Sequence, residues 1–240
     1  GDELDGPRGR IYLMKQVFEG AEPTRKTQLH LDRCLTCRNC ESTCPSGVQY
    51  GHLVDLGRKV VDAKVERPLK DRALRWLLKE GLTSTLFAPA MKLGQSVRAF
   101  LPDALKAKVP VPQAAGAWPT QTHARKVLML AGCVQPAMMP NINTATARVL
   151  NACGIEVVVP PAAGCCGGVK FHLNDQVGGL DHMRRNIDAW WPWVEQGVEA
   201  VVMNASGCGV TVKEYGHLLQ HDAQYAEKAK RISALTRDLS

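Results

Sequence analysis

Lys126-Val-Leu-Met-Leu-Ala-Gly-Cys133 is the stretch on which the reading of the fold turns. Its apolar residues run without interruption from Val127 to Ala131, as in a short strand buried on both faces, and Gly-Cys follows at the carboxyl end. Two later runs repeat the arrangement. Ile155-Glu-Val-Val-Val159 leads into Ala163-Gly-Cys-Cys-Gly-Gly168, and Ala200-Val-Val-Met203 leads into Ser206-Gly-Cys-Gly209. Helical stretches lie between them, over 143–152 and over about 176–196, where Pro192 is expected to kink or break the helix. Strand and helix alternating in this order predict a right-handed α/β unit with a parallel sheet.

The glycines beside these cysteines permit tight turns and close backbone approach. Cys133, Cys165, Cys166 and Cys208 then lie beyond the carboxyl ends of successive parallel strands, where open α/β sheets build their sites. A helix is expected to begin near Gly209, and its dipole would favour thiolate at Cys208. Four thiolates in one crevice read as a metal or redox site; the alternatives are buried structural thiols or a lone Cys165–Cys166 redox pair. Cys153 closes a helix just before Gly154, so it belongs at the opposite sheet edge, as a small buried hydrophobe. In Trp190-Trp191-Pro192-Trp193, the spacing of Ile187, Trp190, Trp191 and Val194 favours a helix face covering the sheet over a membrane interface.

Upstream the period is helical. Ile11, Leu13, Met14, Val17 and Phe18 form one apolar stripe; Leu53, Val54, Leu56, Val60 and Val61 form another; Leu69, Ala73, Leu74, Trp76, Leu77 and Leu78 a third. Pro102, Pro110, Pro112 and Pro119 punctuate a stretch rich in Ala and Gly. The chain thus reads as an α+β protein of two modules: an α-helical module over 1–93, a Pro/Ala-rich linker over 94–122, and an α/β module over 123–240.

The helical module carries Cys34-Leu-Thr-Cys37-Arg-Asn-Cys40-Glu-Ser-Thr-Cys44-Pro45, the C-x2-C-x2-C-x3-C-P spacing of bacterial ferredoxins. Three thiolates two residues apart line a turn and can grip three irons of one 4Fe-4S cube, while the fourth points away as the next helix begins. A structural zinc site normally uses two separated C-x2-C pairs around one tetrahedral ion, and no second pair is near. A zinc-stabilised binding module is the alternative of another class. In paired-cluster ferredoxins the fourth cysteine serves the other cluster, so Cys44 calls for three partners that none of the remaining cysteines supplies. The expectation is that a first motif precedes Gly1 and that the chain is a fragment or a processed product.

Composition narrows the classes further. The chain has 240 residues, 45% hydrophobic and 22% charged, which excludes disorder, collagen and coiled coil. No run nears the roughly 18 apolar residues of a membrane span. Nine cysteines, clustered rather than spread, read as metal ligands in a reducing compartment. The net charge of +7 resides mainly in residues 1–122, which hold 19 Lys and Arg against 13 Asp and Glu. Basicity this weak reads as a solvated surface, and no nucleic-acid partner is expected. Walker loops, G-x-G-x-x-G after a strand and nucleophile elbows are all missing from the sequence.

Taken together, Gly1-Asp-Glu-Leu-Asp-Gly-Pro-Arg-Gly-Arg10, the Arg33–Pro45 run, Ala163-Gly-Cys-Cys-Gly167, Asn186-Ile-Asp-Ala-Trp-Trp-Pro192 and Asn204-Ala-Ser-Gly-Cys-Gly209 resemble the iron–sulfur subunits of bacterial glycolate oxidase. That family looks like two ferredoxin-type cluster motifs followed by two cysteine-rich, CCG-containing domains, related to heterodisulfide reductase subunits. By resemblance, Cys34, Cys37, Cys40 and Cys44 match the second ferredoxin motif, with two 4Fe-4S clusters in the full-length protein. Cys133, Cys165, Cys166 and Cys208 match one CCG copy, with a second copy expected after Ser240 and a further cluster or metal at the site. Heterodisulfide reductase ends the pattern in C-x-x-C, whereas Thr211 stands here, which puts a five-thiolate site in doubt. The resemblance implies an electron-transfer subunit: flavin-containing partner subunits would oxidise glycolate to glyoxylate, and this subunit would pass the electrons to a quinone or another acceptor. A lactate or anaerobic glycerol-3-phosphate dehydrogenase complex is the alternative. The implied location is cytoplasmic, peripheral at most on the inner face of the cell membrane. Arg33 and Arg38 are the expected tuners of cluster potential.

Overall fold

The computed structural model describes residues 2–239. Contacts divide the chain into two compact units, Gly1–Arg75 and Trp76–Ser240. The sequence places the first boundary at 93, with a linker beyond. Residues 76–93 fall instead in the second unit, and the stretch expected as a linker itself holds short helices.

The first unit is helical. A 3-10 turn (Glu3–Asp5) precedes α1 (Pro7–Phe18), α2 (Arg25–Asp32), α3 (Asn39–Ser42), α4 (Tyr50–Lys64) and α5 (Leu69–Trp76). Pro7 opens α1, where a missing N–H costs nothing, and Thr24 and Thr27 cap α2 reciprocally. Met14, Val17, Leu31, Tyr50, Val54 and Val61 form its core, with Cys34 and Cys40 packed against them. Gly57 lets α4 close on α1, since a Cβ there would sit 2.4 Å from Met14 Sδ. The third apolar stripe is not core as its period suggests: Leu69, Leu74, Trp76 and Leu77 are each more than half exposed.

Polar side chains complete this small core. Arg67 donates to both oxygens of Asp32, at 2.5 and 3.0 Å, and Arg75 adds a bond of 2.6 Å. Arg67 also pairs with Asp62, which accepts from Gln28 at 2.7 Å. Burial alone would raise the Asp32 carboxyl, but the Arg67 bonds and the nearby arginine charges outweigh it and hold it below 3.8.

The second unit opens with α6 (Phe87–Ser96) and α7 (Asp103–Lys106), then forms a sheet of four parallel strands. In chain order these elements are β1 (Arg125–Met129), α8 (Gln135–Met138), α9 (Pro140–Ala152), β2 (Ile155–Val158), α10 (Gly168–His172), α11 (Gln176–Glu195), β3 (Ala200–Met203), α12 (Ser206–Lys213), α13 (Tyr215–Leu218), α14 (Ala226–Leu235) and β4 (Thr236–Asp238). The order across the sheet is β2-β1-β3-β4, with Arg125 opposite Ile155 and Val127 opposite Ala200. The two-module α+β expectation is met, and β4 adds a strand that the sequence does not announce. Trp190, Tyr215, Met183, Ile187 and Ile232 pack against Leu128 and Val201 in the core. α11 runs on through Pro192 to Glu195, so the helix does not end at the proline.

Replacing Asp32 by Asn should destabilise the first unit by about 1–3 kcal/mol, because half-buried Arg75 loses its carboxylate and Arg67 keeps only Asp62. A carboxyl held low stabilises the fold above its ordinary pKa and loses that contribution as pH falls through the lowered value. Thermal unfolding in an acid series should therefore fall away more gently for the variant than for the wild type.

Candidate functional site

In the first unit the ferredoxin-type run leaves α2 at Cys34, turns through Cys37, passes Cys40 in α3 and ends at Cys44. Thr36 and Arg38, on either side of Cys37, are left-handed, with φ of 54° and 57°. Such alternation wraps backbone N–H groups around the sulfurs, and Thr36 N–H lies 3.4 Å from Cys34 Sγ. Burial raises the Cys40 thiol, and the neighbouring Cys34, Glu41 and Cys37 raise it further, so the first three cysteines share one electrostatic neighbourhood. Cys44 is held low by the backbone N–H groups of Val48, Ser46 and Gly47, with no thiol among the groups that shift it.

Two residues outside the run shape it. Arg58 of α4, almost fully buried, donates to the carbonyl oxygens of Leu31 (2.9 Å) and Cys34 (2.6 Å) and to Thr36 Oγ1 (3.1 Å). Tyr50, at the start of α4, lines a cavity of about 300 Å³ with Cys40 and Cys44. Its hydroxyl is buried without a hydrogen-bond partner, and burial followed by the Cys34 thiol raises its pKa. A sulfur-rich group held by the cysteines would accept that orphaned O–H, so the residues fit an iron–sulfur cluster. Arg33, expected as a tuner, turns to Asp5 at 2.9 Å instead.

In the second unit the four predicted thiols do converge. Cys133 follows β1, Cys165 and Cys166 follow β2, and Cys208 lies in the first turn of α12 after β3. The thiols influence one another's ionisation in series: Cys133 with Cys165, Cys165 with Cys166, Cys166 with Cys208. Cys165 is the principal acceptor, held far below an ordinary thiol by Cys133 and Cys166 and by Gly167 N–H at 3.4 Å. The Cys166 thiol beside Cys208 holds it low, whereas Cys133 and Cys166 are pushed up. Cys165 and Cys208, both shifted towards the thiolate in a largely buried setting, suit a cationic centre.

A zinc ion about 2.3 Å from four sulfurs would hold them about 3.8 Å apart. Among the described residues no three thiols lie within 4.8 Å of one another; the trio that does is Asp2, Asp5 and His30, tied up with Arg10 and Arg33. Both thiol sets are therefore spread more widely than one zinc ion requires.

Four devices hold the second site. Asn186 of α11, fully buried, accepts from Gly164 N–H at 2.8 Å and donates to Cys165 O at 2.9 Å. Tyr215, stacked on Trp190, donates from its hydroxyl to Cys166 O at 2.8 Å. Gly167 adopts φ of 89°, and a Cβ there would meet Gly179 O at 2.5 Å, so only glycine fits. On the other side Asn204 donates to Asn143 (2.8 Å) and Thr146 (3.0 Å) and accepts from Gln135 (3.0 Å), tying the Cys133 loop to the Cys208 loop. Beside Cys133 and Cys208 opens an apolar cavity of about 370 Å³, lined among others by Met138, Met139, Ile142 and Val169.

Cys153 stays apart, as expected, capping α9 next to Arg125 at the amino ends of the strands. It is exposed rather than buried, because the turn at Gly154 carries it outward. The Thr211 hydroxyl is donated to Gly207 O at 2.9 Å.

Residues 127–213 match the family described as CCG, a cysteine-rich domain. That match lies within the second unit and spans all four of its converging cysteines. The more particular likeness spans the whole chain: it is 56% identical over 245 residues to the glycolate oxidase iron-sulfur subunit of Escherichia coli (strain K12), covering 100% of this chain and 59% of that protein. It is 30% identical over 266 residues to a probable glycolate oxidase iron-sulfur subunit of Bacillus subtilis (strain 168), covering 99% of this chain and 59% of that protein. Lactate utilization protein A of the same strain is 30% identical over 115 residues, 48% of this chain and 46% of that protein. The chain thus spans 59% of the length of the first two relatives. No solved structure matches.

Replacing Asn186 by Ala should cost about 2–4 kcal/mol, because the Gly164 N–H, the Cys165 carbonyl and the Tyr215 hydroxyl, which accepts from Asn186 at 3.1 Å, lose a partner together. Thermal unfolding measures the loss. The Cys165–Cys166 loop should also loosen, so its thiols should react with an alkylating reagent faster in the variant than in the wild type.

Proposed function

We propose that this chain is an iron–sulfur electron-transfer subunit of a glycolate-oxidising complex. It receives electrons from flavin-containing partner subunits and delivers them to an acceptor such as a quinone, at the cytoplasmic face of the cell. The observation that carries the reading is the convergence of Cys133, Cys165, Cys166 and Cys208 from three separate loops, in a chain that also holds a complete C-x2-C-x2-C-x3-C-P run. Similarity to glycolate oxidase iron-sulfur subunits over the whole chain supports the choice of complex.

On this reading Cys34, Cys37 and Cys40 hold one 4Fe-4S cluster and Cys44 serves a second, while the four CCG cysteines hold a further centre. When bound, these groups supply one-electron transfer without proton chemistry of their own. The chain's residues set the conditions. Arg58 pins the Cys34 turn, and Tyr50 offers its O–H to sulfur, which favours the reduced state by stabilising added negative charge. Asn186 and Tyr215 fix the CCG loop so that its sulfurs cannot drift as charge changes. The apolar cavity beside Cys133 and Cys208 has room for the ring of a quinone next to the electron source. A lactate-oxidising complex is the second reading, favoured by the shorter similarity to lactate utilization protein A.

Anaerobically purified protein should absorb in the visible range and contain iron with acid-labile sulfide. Cys37→Ser and Cys165→Ser should each lower the iron content, by loss of different paramagnetic signals. Zinc without sulfide, or full iron in both variants, would refute the proposal.

A further inference from the structure

The second unit leaves one apolar surface uncovered. Leu86, Ala90, Leu93, Val97 and Phe100 recur at alternating intervals of four and three residues along α6 and the turn that follows it. All five are exposed, Leu86 at 72%, Leu93 at 67% and Phe100 at 89%. The opposite side of α6, with Phe87 and Met91, is half-buried, and the helix packs against α8. The helix is thus anchored on one face and bare on the other. Just before it, Trp76, Leu77, Leu78, Leu82, Leu86 and Phe87 line an open apolar cavity of about 510 Å³. Leu105 and Val111 extend the exposed apolar series beyond it. A contiguous surface of this kind marks an interaction site.

Charge decides what it meets. Residues 76–111 carry Lys79, Lys92, Arg98, Lys106 and Lys108 against Glu80 and Asp103, and Glu80 is paired with Lys170. Protein–protein interfaces are depleted in lysine, whereas helices lying in a bilayer surface combine Leu, Phe and Trp on one side with Lys and Arg around them. Anionic headgroups attract such lysines from within a Debye length. No helix among the described residues is long and apolar enough to cross a membrane, so the mode available is lying on the surface.

We infer that residues 76–111 form an interfacial element that seats this chain on an anionic lipid surface, with Leu86, Leu93 and Phe100 entering the headgroup boundary and Lys92, Lys106 and Lys108 facing the phosphates. This rests on the function proposed above only in supposing that the acceptor lies in a membrane. It goes beyond that function by naming the surface that reaches it.

Flotation of the 240-residue chain with vesicles tests the inference. An equal mixture of phosphatidylglycerol and phosphatidylethanolamine should carry the protein upward, and phosphatidylcholine alone should carry far less. Leu93→Ser with Phe100→Ser should reduce recovery by about tenfold, and so should Lys106→Glu with Lys108→Glu, or raised salt on the wild type. Leu93, Phe100 and Lys108 are exposed and Lys106 is half-buried, so unchanged circular dichroism and iron content are expected and separate this inference from the iron–sulfur reading. Equal recovery of wild type and variants would overturn it, as would no flotation at all, or binding to both lipids that ignores salt. Variants that keep vesicle binding but lose a partner subunit would assign the face to protein instead.

Discussion

Parallel pairing of β1 with β2 on one side and β3 on the other is the constraint on which the second unit depends. Parallel strands end at the same edge, so loops more than thirty residues apart in sequence deliver their first residues to one place. Each of those loops begins with glycine and cysteine or reaches them within a few residues. The sheet therefore gathers four sulfurs without any long-range recognition between the loops. Were one strand reversed, its cysteine would move to the far edge, beside Cys153.

Gathering is not the same as holding. Sulfur makes weak hydrogen bonds, and four clustered thiols repel one another once ionised. The backbone carries the load instead. Asn186 reads the Gly164 N–H and the Cys165 carbonyl together, Tyr215 takes the Cys166 carbonyl, and the Asn204 network joins the other two loops. The helical unit follows the same rule with different parts, since Arg58 grips the carbonyls of Leu31 and Cys34 and leaves the sulfurs free. In both units charged or amide side chains bind the main chain, so the thiols remain available as ligands.

This division explains what could be read beforehand. The strands were legible because burial on both faces demands continuous apolar residues, and the site was legible because cysteine beside glycine at a strand end has few other uses. Asn186 was not legible as a tie, since one amide in an amphipathic helix looks like a surface residue until its neighbours are known. Arg58 hides in the same way inside the second apolar stripe. β4 is only Thr236-Arg237-Asp238, an edge strand with one buried residue, and carries no apolar period. The third stripe misled for the opposite reason: its period is helical and apolar, but amphipathicity states that a face seeks cover and does not say that this unit provides it.

The central claim is that both cysteine sets hold iron bridged by sulfide rather than a single ion. X-ray absorption at the iron edge of anaerobically prepared protein tests it most directly. The account predicts a first shell of sulfur with clear iron–iron scattering behind it, altered in amplitude by Cys165→Ser as well as by Cys37→Ser. Metal confined to the zinc edge, or iron surrounded by sulfur with no second iron, would contradict it.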